Sequence, residues 1–183
     1  MDPITQEHYN NIHSDDRELQ NTAFIYLMGV TEEPVDWAYD VWDELVEDLT
    51  HRNNRVRVIS AQLLINLAKS DPEDRMLQDF DSLLAVTRDK RFVTARHCLQ
   101  NLWKVGMVGT EQRGLVVEGL EARYRECASE KNSTLIRYDI IQGLRNLYAV
   151  EEEEKVRAKA LELIEIEDNL KYRKKYSTVW KNA

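Results

Sequence analysis

The stretch RVISAQLLINLAKS, residues 57–70, decides how the chain folds, because it returns twice. FVTARHCLQNLWKV (92–105) and RYDIIQGLRNLYAV (137–150) carry the same Asn-Leu step, with a further leucine three residues before the repeated one. Ala68, Trp103 and Tyr148 follow that step in turn. A weaker copy, LQNTAFIYLMGV (19–30), sets Leu19, Ala23 and Leu27 where Val56, Ser60 and Leu64 fall. Successive copies lie 37, 35 and 45 residues apart. A recurrence of this length marks stacked units, each too small to bury its own apolar face alone.

Every copy has helical periodicity. Val56, Ser60, Leu63, Leu64 and Leu67 form one stripe; Ala95, Cys98, Leu99 and Leu102 a second; Ile136, Ile140, Gly143, Leu144 and Leu147 a third. Spacings of three, four and seven residues line up on one helix face. Asp15–Asp16, Asn53–Asn54, Asp89 and Asn132–Ser133 supply capping oxygens where these helices should begin. Another helix is expected between copies. Pro34 and Pro72 suit its first turn, and Ala38, Val41, Leu45 and Leu49, or Leu77, Phe80 and Leu84, supply its apolar stripe. Val117, Leu120, Tyr124 and Cys127 predict a longer helix over about 110–130, and Val156, Ala160, Leu163 and Ile164 the last of the series.

These residues predict an all-α fold: an α-solenoid of about four helix pairs in one domain spanning 1–183. Residues 1–14 read as a frayed lead-in, 15–166 as the repeats and 167–183 as a basic-aromatic cap. The cap carries Tyr172, Tyr176 and Trp180 four residues apart, among Lys171, Arg173, Lys174 and Lys175. A solenoid's last unit has no neighbour, so a final helix must cover its apolar face. The same composition also suits a nucleic-acid contact.

The cadence of Asn53–Leu67, and DKRFVTARHCLQNLWKVG at 89–106, resemble the second helices of HEAT repeats. Together with TLIRYDIIQGL and KYRKKYSTVW, they are similar to small prokaryotic HEAT-repeat proteins without an assigned activity. The resemblance implies a right-handed superhelix whose second helices line a concave, protein-binding face. It implies no catalytic residue and no cofactor.

Charge is unevenly spread in a chain of net charge −8. Residues 1–51 hold thirteen acidic residues and one basic, residues 52–145 twelve and sixteen, and residues 146–183 eight of each. That distribution argues against simple coating of nucleic acid, where neutralising phosphates dominates affinity. Cys98 and Cys127, with no C-x-x-C, suit unpaired thiols in the cytoplasm. The N-terminus shows no secretory leader, and no window approaches the ~20 apolar residues of a membrane span.

The adjacent pair His97–Cys98 invites a catalytic reading. Neighbours on a helix point about 100° apart, so His97 cannot serve Cys98 as a base, and Cys98 reads as core. His97 instead joins a series. Gln62 and Asn66, His97 and Asn101, and Gln142 and Asn146 occupy equivalent positions, each pair four residues apart. They form either a polar ladder for an extended ligand on the concave face or internal ties between units. Arg55, Arg57, Arg91, Arg96, Arg137 and Arg145 suggest a basic groove for an acidic peptide or nucleic acid; the plainer reading pairs them with carboxylates such as Asp89 and Asp139.

The acidic helix around Trp37, Tyr39 and Trp42 reads mainly as a cover for the first unit. His8, His13, His51 and His97 lack ligand spacing and no His-Glu pair occurs, so no metal is expected and HEAT-like di-iron hydroxylases are unsupported. HEAT-like DNA glycosylases use a carboxylate with aromatics; Trp103, Tyr148 and Asp139 could take those parts, although no motif matches. The expected function is therefore a non-catalytic scaffold for a protein or peptide partner, with a nucleic-acid-binding or base-processing protein as the alternative.

Overall fold

The computed structural model describes residues 1–181, so the last two residues of the expected cap lie outside it. Among the described residues there are ten α-helices and no strand. They fall into two compact units, Met1–Cys98 and Leu99 onward, with the division inside one helix.

The first unit holds α1 (Pro3–Asn11), α2 (Arg17–Val30), α3 (Ala38–Asp48), α4 (Asn54–Leu67), α5 (Arg75–Ala85) and most of α6 (Phe92–Asn101). The stripe on α4 is buried throughout, and so are Ala38, Val41, Leu45 and Leu49 on α3. α1 packs on α2 and α3 on α4, while α2 also meets α4 and α3 meets α5. Consecutive helices thus pair, α1 with α2 and α3 with α4, and helices two apart also meet, the local pattern of a two-layer helical array.

Asn132 makes no side-chain capping bond to the helix Ser133–Glu151, but the other capping oxygens fall close to their predicted places. The Asp16 carboxylate accepts from the Glu18 and Leu19 N–H groups, and Asn53 Oδ1 accepts from the Arg55 N–H at 2.9 Å. The prolines do not. Pro34 and Pro72 both precede their helices by several residues, in the loops before α3 and α5. For α5 the capping falls to Asp71, whose carboxylate accepts from the Arg75 N–H at 3.0 Å and the Met76 N–H at 2.7 Å. Asp74, at φ 54°, makes the left-handed turn between them.

Residues 1–14, expected to fray, include a helix instead. Asp2 caps it through the Ile4 and Thr5 N–H groups, Pro3 takes the first position, and Tyr9 and Ile12 are buried. The weak copy on α2 also differs from its alignment: Ala23 and Leu27 are buried, whereas Leu19 is exposed and Gln20 takes its place inside, donating to the Ile12 carbonyl at 2.6 Å.

Arg57 on α4 ties its unit together. Its Nε and Nη2 donate to the Asp89 carboxylate at 2.5 and 2.9 Å, and Nη1 donates to the His51 carbonyl at 2.7 Å. Asp89 also accepts the Arg91 N–H at 2.7 Å, just ahead of α6. Burial pushes the Asp89 carboxyl up, but the bonds from Arg57 and the Arg91 N–H outweigh it and hold the group below its ordinary range.

The second unit holds α7 (Thr110–Glu126), α8 (Ser133–Glu151), α9 (Glu154–Glu165) and α10 (Leu170–Val179), preceded by a 3-10 segment, Leu102–Met107. α7 meets α8 and α9, and α10 meets α8 and α9. Gly106 lies so close to Leu147 on α8 that a Cβ there would sit 3.0 Å from the Leu147 side chain. The acidic run 151–154 contains a break that no glycine or proline announces. Glu152 closes α8 in the left-handed region at φ 49°, its N–H donating to the Tyr148 carbonyl at 2.8 Å.

Arg137 repeats on α8 what Arg57 does on α4. Its Nη1 donates to Glu167 at 2.8 Å, and Glu167 accepts the Asn169 N–H at 3.0 Å ahead of α10. α10 covers α8 with Tyr176 and Trp180. The Tyr176 hydroxyl donates to the Thr134 carbonyl at 2.9 Å and Trp180 Nε1 to the Ile141 carbonyl at 3.3 Å. Trp180→Ala should therefore destabilise this unit by about 3–5 kcal/mol, the range for losing a buried aromatic. Denaturant unfolding and proteolysis of α10 check this; unchanged stability and protease resistance would contradict it.

Candidate functional site

A groove of about 280 Å³ opens on the first unit, lined by three of the repeated helices. α2 contributes Asn21 and Phe24, and α6 contributes Val93, Thr94 and His97. α4 supplies Asn54, Arg55, Val58, Ile59 and Gln62. The groove follows from the stripes: Val56, Ser60, Leu63 and Leu67 face the core, which leaves Arg55, Val58 and Gln62 on the opposite side of α4. Thr94 on α6 donates to the Asn54 carbonyl at 3.4 Å across the groove's edge.

Two members of the polar series, Gln62 and His97, come together here. Gln62 Nε2 reaches back to the Val58 carbonyl at 3.3 Å, and both side chains have internal interactions. Asn66 is buried away from the groove, donating to Thr31 Oγ1 at 3.2 Å, next to the C-terminus of α2. Asn101 is half-buried and partnered. In the second unit Gln142 donates to Asn146 Oδ1 at 2.9 Å, so that pair satisfies itself.

The six arginines of the expected basic groove meet different fates. Arg57 is buried with its donors committed to Asp89 and backbone carbonyls. Arg137 is held by Glu167 and lies over the Tyr124 ring at 4.7 Å. Arg145 lies over Tyr148 and Trp180. Arg96 is half-buried and partnered, whereas Arg91 is exposed and its side chain makes no bond to a described residue. Arg55, the sixth, lines the groove. Its guanidinium forms no hydrogen bond or ion pair with any described residue. It stands two residues before Arg57, hence on a different face of the same helix.

A second groove, about 420 Å³, lies between α7 and α9. Ion pairs cross it: Arg113 to Glu151 and Glu153, and Lys159 to Glu121 at 2.8 Å. The Lys159 ammonium holds the Glu121 carboxyl below its ordinary range.

The aromatics of the acidic helix face inward. Trp42 is buried with Nε1 donating to Asp79 at 2.8 Å, and Tyr39 donates to Asp71. His13 meets Asp48 at 2.6 Å. Among the described residues no group of three metal-ligating side chains converges, and no helix is long and apolar enough to cross a membrane.

No protein-family model matches the chain, and no curated protein matches it. Among solved structures, the crystal structure of an engineered protein is similar at a TM-score of 0.50. The likeness covers 98% of this chain and 95% of that one at 16% identity. At that identity the likeness concerns the fold alone.

Cys98 is fully buried, its Sγ pointing at the Leu83 carbonyl at 3.6 Å, and burial pushes its thiol up to about 12. Burial also raises Cys127. A thiolate is the reactive form, so both cysteines should resist a colourimetric disulfide reagent at neutral pH and react only after unfolding. Rapid reaction of either thiol in the native protein would contradict this.

Proposed function

We propose that the chain is a right-handed α-solenoid of HEAT-like helix pairs and a non-catalytic scaffold for a protein or peptide partner. The partner would lie along the face formed by the second helix of each pair. The alternating helix contacts within each unit and the recurring segments at 57–70, 92–105 and 137–150 support the solenoid. The observation that carries the binding role is the groove on α2, α4 and α6. It combines the side-chain polar groups of Asn21, Asn54 and Arg55, which have no partner among the described residues, with Val93, an apolar side chain 66% exposed. Gln62 and His97 would border that ligand. The reading needs no cofactor, and two unbonded cysteines suit a cytoplasmic setting.

One observation favours a nucleic-acid partner as the second reading. α10 carries Lys171, Lys174 and Lys175 with no carboxylate partner among the described residues, beside the rings of Tyr138 and Tyr172. Base processing has less support, because Asp139 is buried and accepts from Gln100 at 3.2 Å.

Affinity capture from the native host tests the scaffold reading. Val93→Arg should lose a partner that the wild-type chain and Leu161→Arg, altered on α9, both retain. An identical captured set for all three proteins would count against the groove as the binding face.

A further inference from the structure

We infer that the groove on α2, α4 and α6 recognises an extended peptide presenting a glutamate or aspartate side chain beside an apolar one, with Arg55 receiving the carboxylate. The inference rests on the groove being a binding site, and adds the chemistry of its occupant.

The lining is unusual for its surroundings. Residues 1–51 hold thirteen acids against one base, yet none of the ten lining residues is acidic. The one permanent cation among them is Arg55, half-buried and with no carboxylate or carbonyl partner among the described residues. Three other arginines in the chain, Arg57, Arg113 and Arg137, are each held by carboxylates. A guanidinium offers a planar fork of donors that fits a carboxylate in two parallel bonds, and partial burial strengthens such a pair.

The same groove is lined by Asn21 and Asn54, whose carboxamides also have no partner among the described residues. A carboxamide donates and accepts at once, which matches the alternating N–H and C=O groups of an extended backbone. Phe24, Val58 and Val93 supply an apolar wall for the neighbouring side chain. The volume, about 280 Å³, falls just under the usual span for small-molecule pockets, roughly 300–1,000 Å³, and suits two or three side chains.

The test uses the full chain, isotope-labelled for NMR, and three capped pentapeptides. Each alternates leucine or phenylalanine with one varied residue: glutamate, glutamine or lysine. The glutamate peptide should shift the amides of Asn21, Arg55, Val93 and His97, and bind about tenfold more tightly than the glutamine peptide, as one charge-assisted pair provides. The preference should vanish in Arg55→Gln and persist in Arg52→Gln, an exposed arginine outside the groove. The Arg55 side chain bonds nothing described, so both variants should melt like the wild type, and their melting curves check this directly.

Equal affinity for the three peptides would overturn the carboxylate assignment and leave the groove standing. No groove shift with any peptide would overturn the groove reading as well. A glutamate preference that survives Arg55→Gln would overturn the role of Arg55.

Discussion

An arginine, buried in the first unit and half-buried in the second, reaches from one helix to the carboxylate that opens a later helix and holds each unit of this protein in register. Arg57 does this through Asp89, and Arg137 through Glu167. In both cases the same carboxylate accepts a backbone N–H two residues further on, the Arg91 N–H at 2.7 Å and the Asn169 N–H at 3.0 Å. One group thus fixes two things at once, the seat of the arginine and the start of the helix that follows. The arginine cannot slide without stranding a buried charge, and loss of one partner from such a pair costs about 3–5 kcal/mol. The third aligned copy has Phe92 at this position, so the device alternates with apolar packing.

That device also explains how the groove acquires its character. Arg57 points inward to Asp89, so its neighbour Arg55, about 200° around α4, points out. Two arginines two residues apart therefore play opposite parts: one is neutralised inside, and the other stands open on a groove with no acid. The inward stripe and the outward groove are two faces of a single helix, and the packing of one orients the other.

Much of this was legible in the sequence, because local rules decide it. The stripes on α4, α6 and α8 are buried where period 3.6 puts them, and Asp16 and Asn53 cap where short polar residues precede an apolar run. Other features depend on distant partners. The lead-in at 1–14 reads as frayed, and its helix gains meaning only when Tyr9 reaches Glu44, 35 residues on. Pro34 and Pro72 were read as first-turn residues, whereas Asp71 caps α5 and the prolines belong to the approach. The break at Glu152 rests on a left-handed residue that is neither glycine nor asparagine. The polar series at Gln62, His97 and Gln142 was visible by alignment, but alignment could not reveal that Asn66 bonds Thr31 while Gln142 bonds Asn146.

The most direct test of this account is a double-mutant cycle on Arg57 and Asp89, with Arg57→Met and Asp89→Asn, read by denaturant unfolding at neutral and acid pH. The folded-state carboxyl of Asp89 lies below its ordinary value, so its contribution is complete above the unfolded pKa, about 3.9. It is lost as pH falls through the folded value. The account predicts a coupling energy of about 1–3 kcal/mol at pH 7 that shrinks below that window. Additive single variants, with no coupling at either pH, would contradict it.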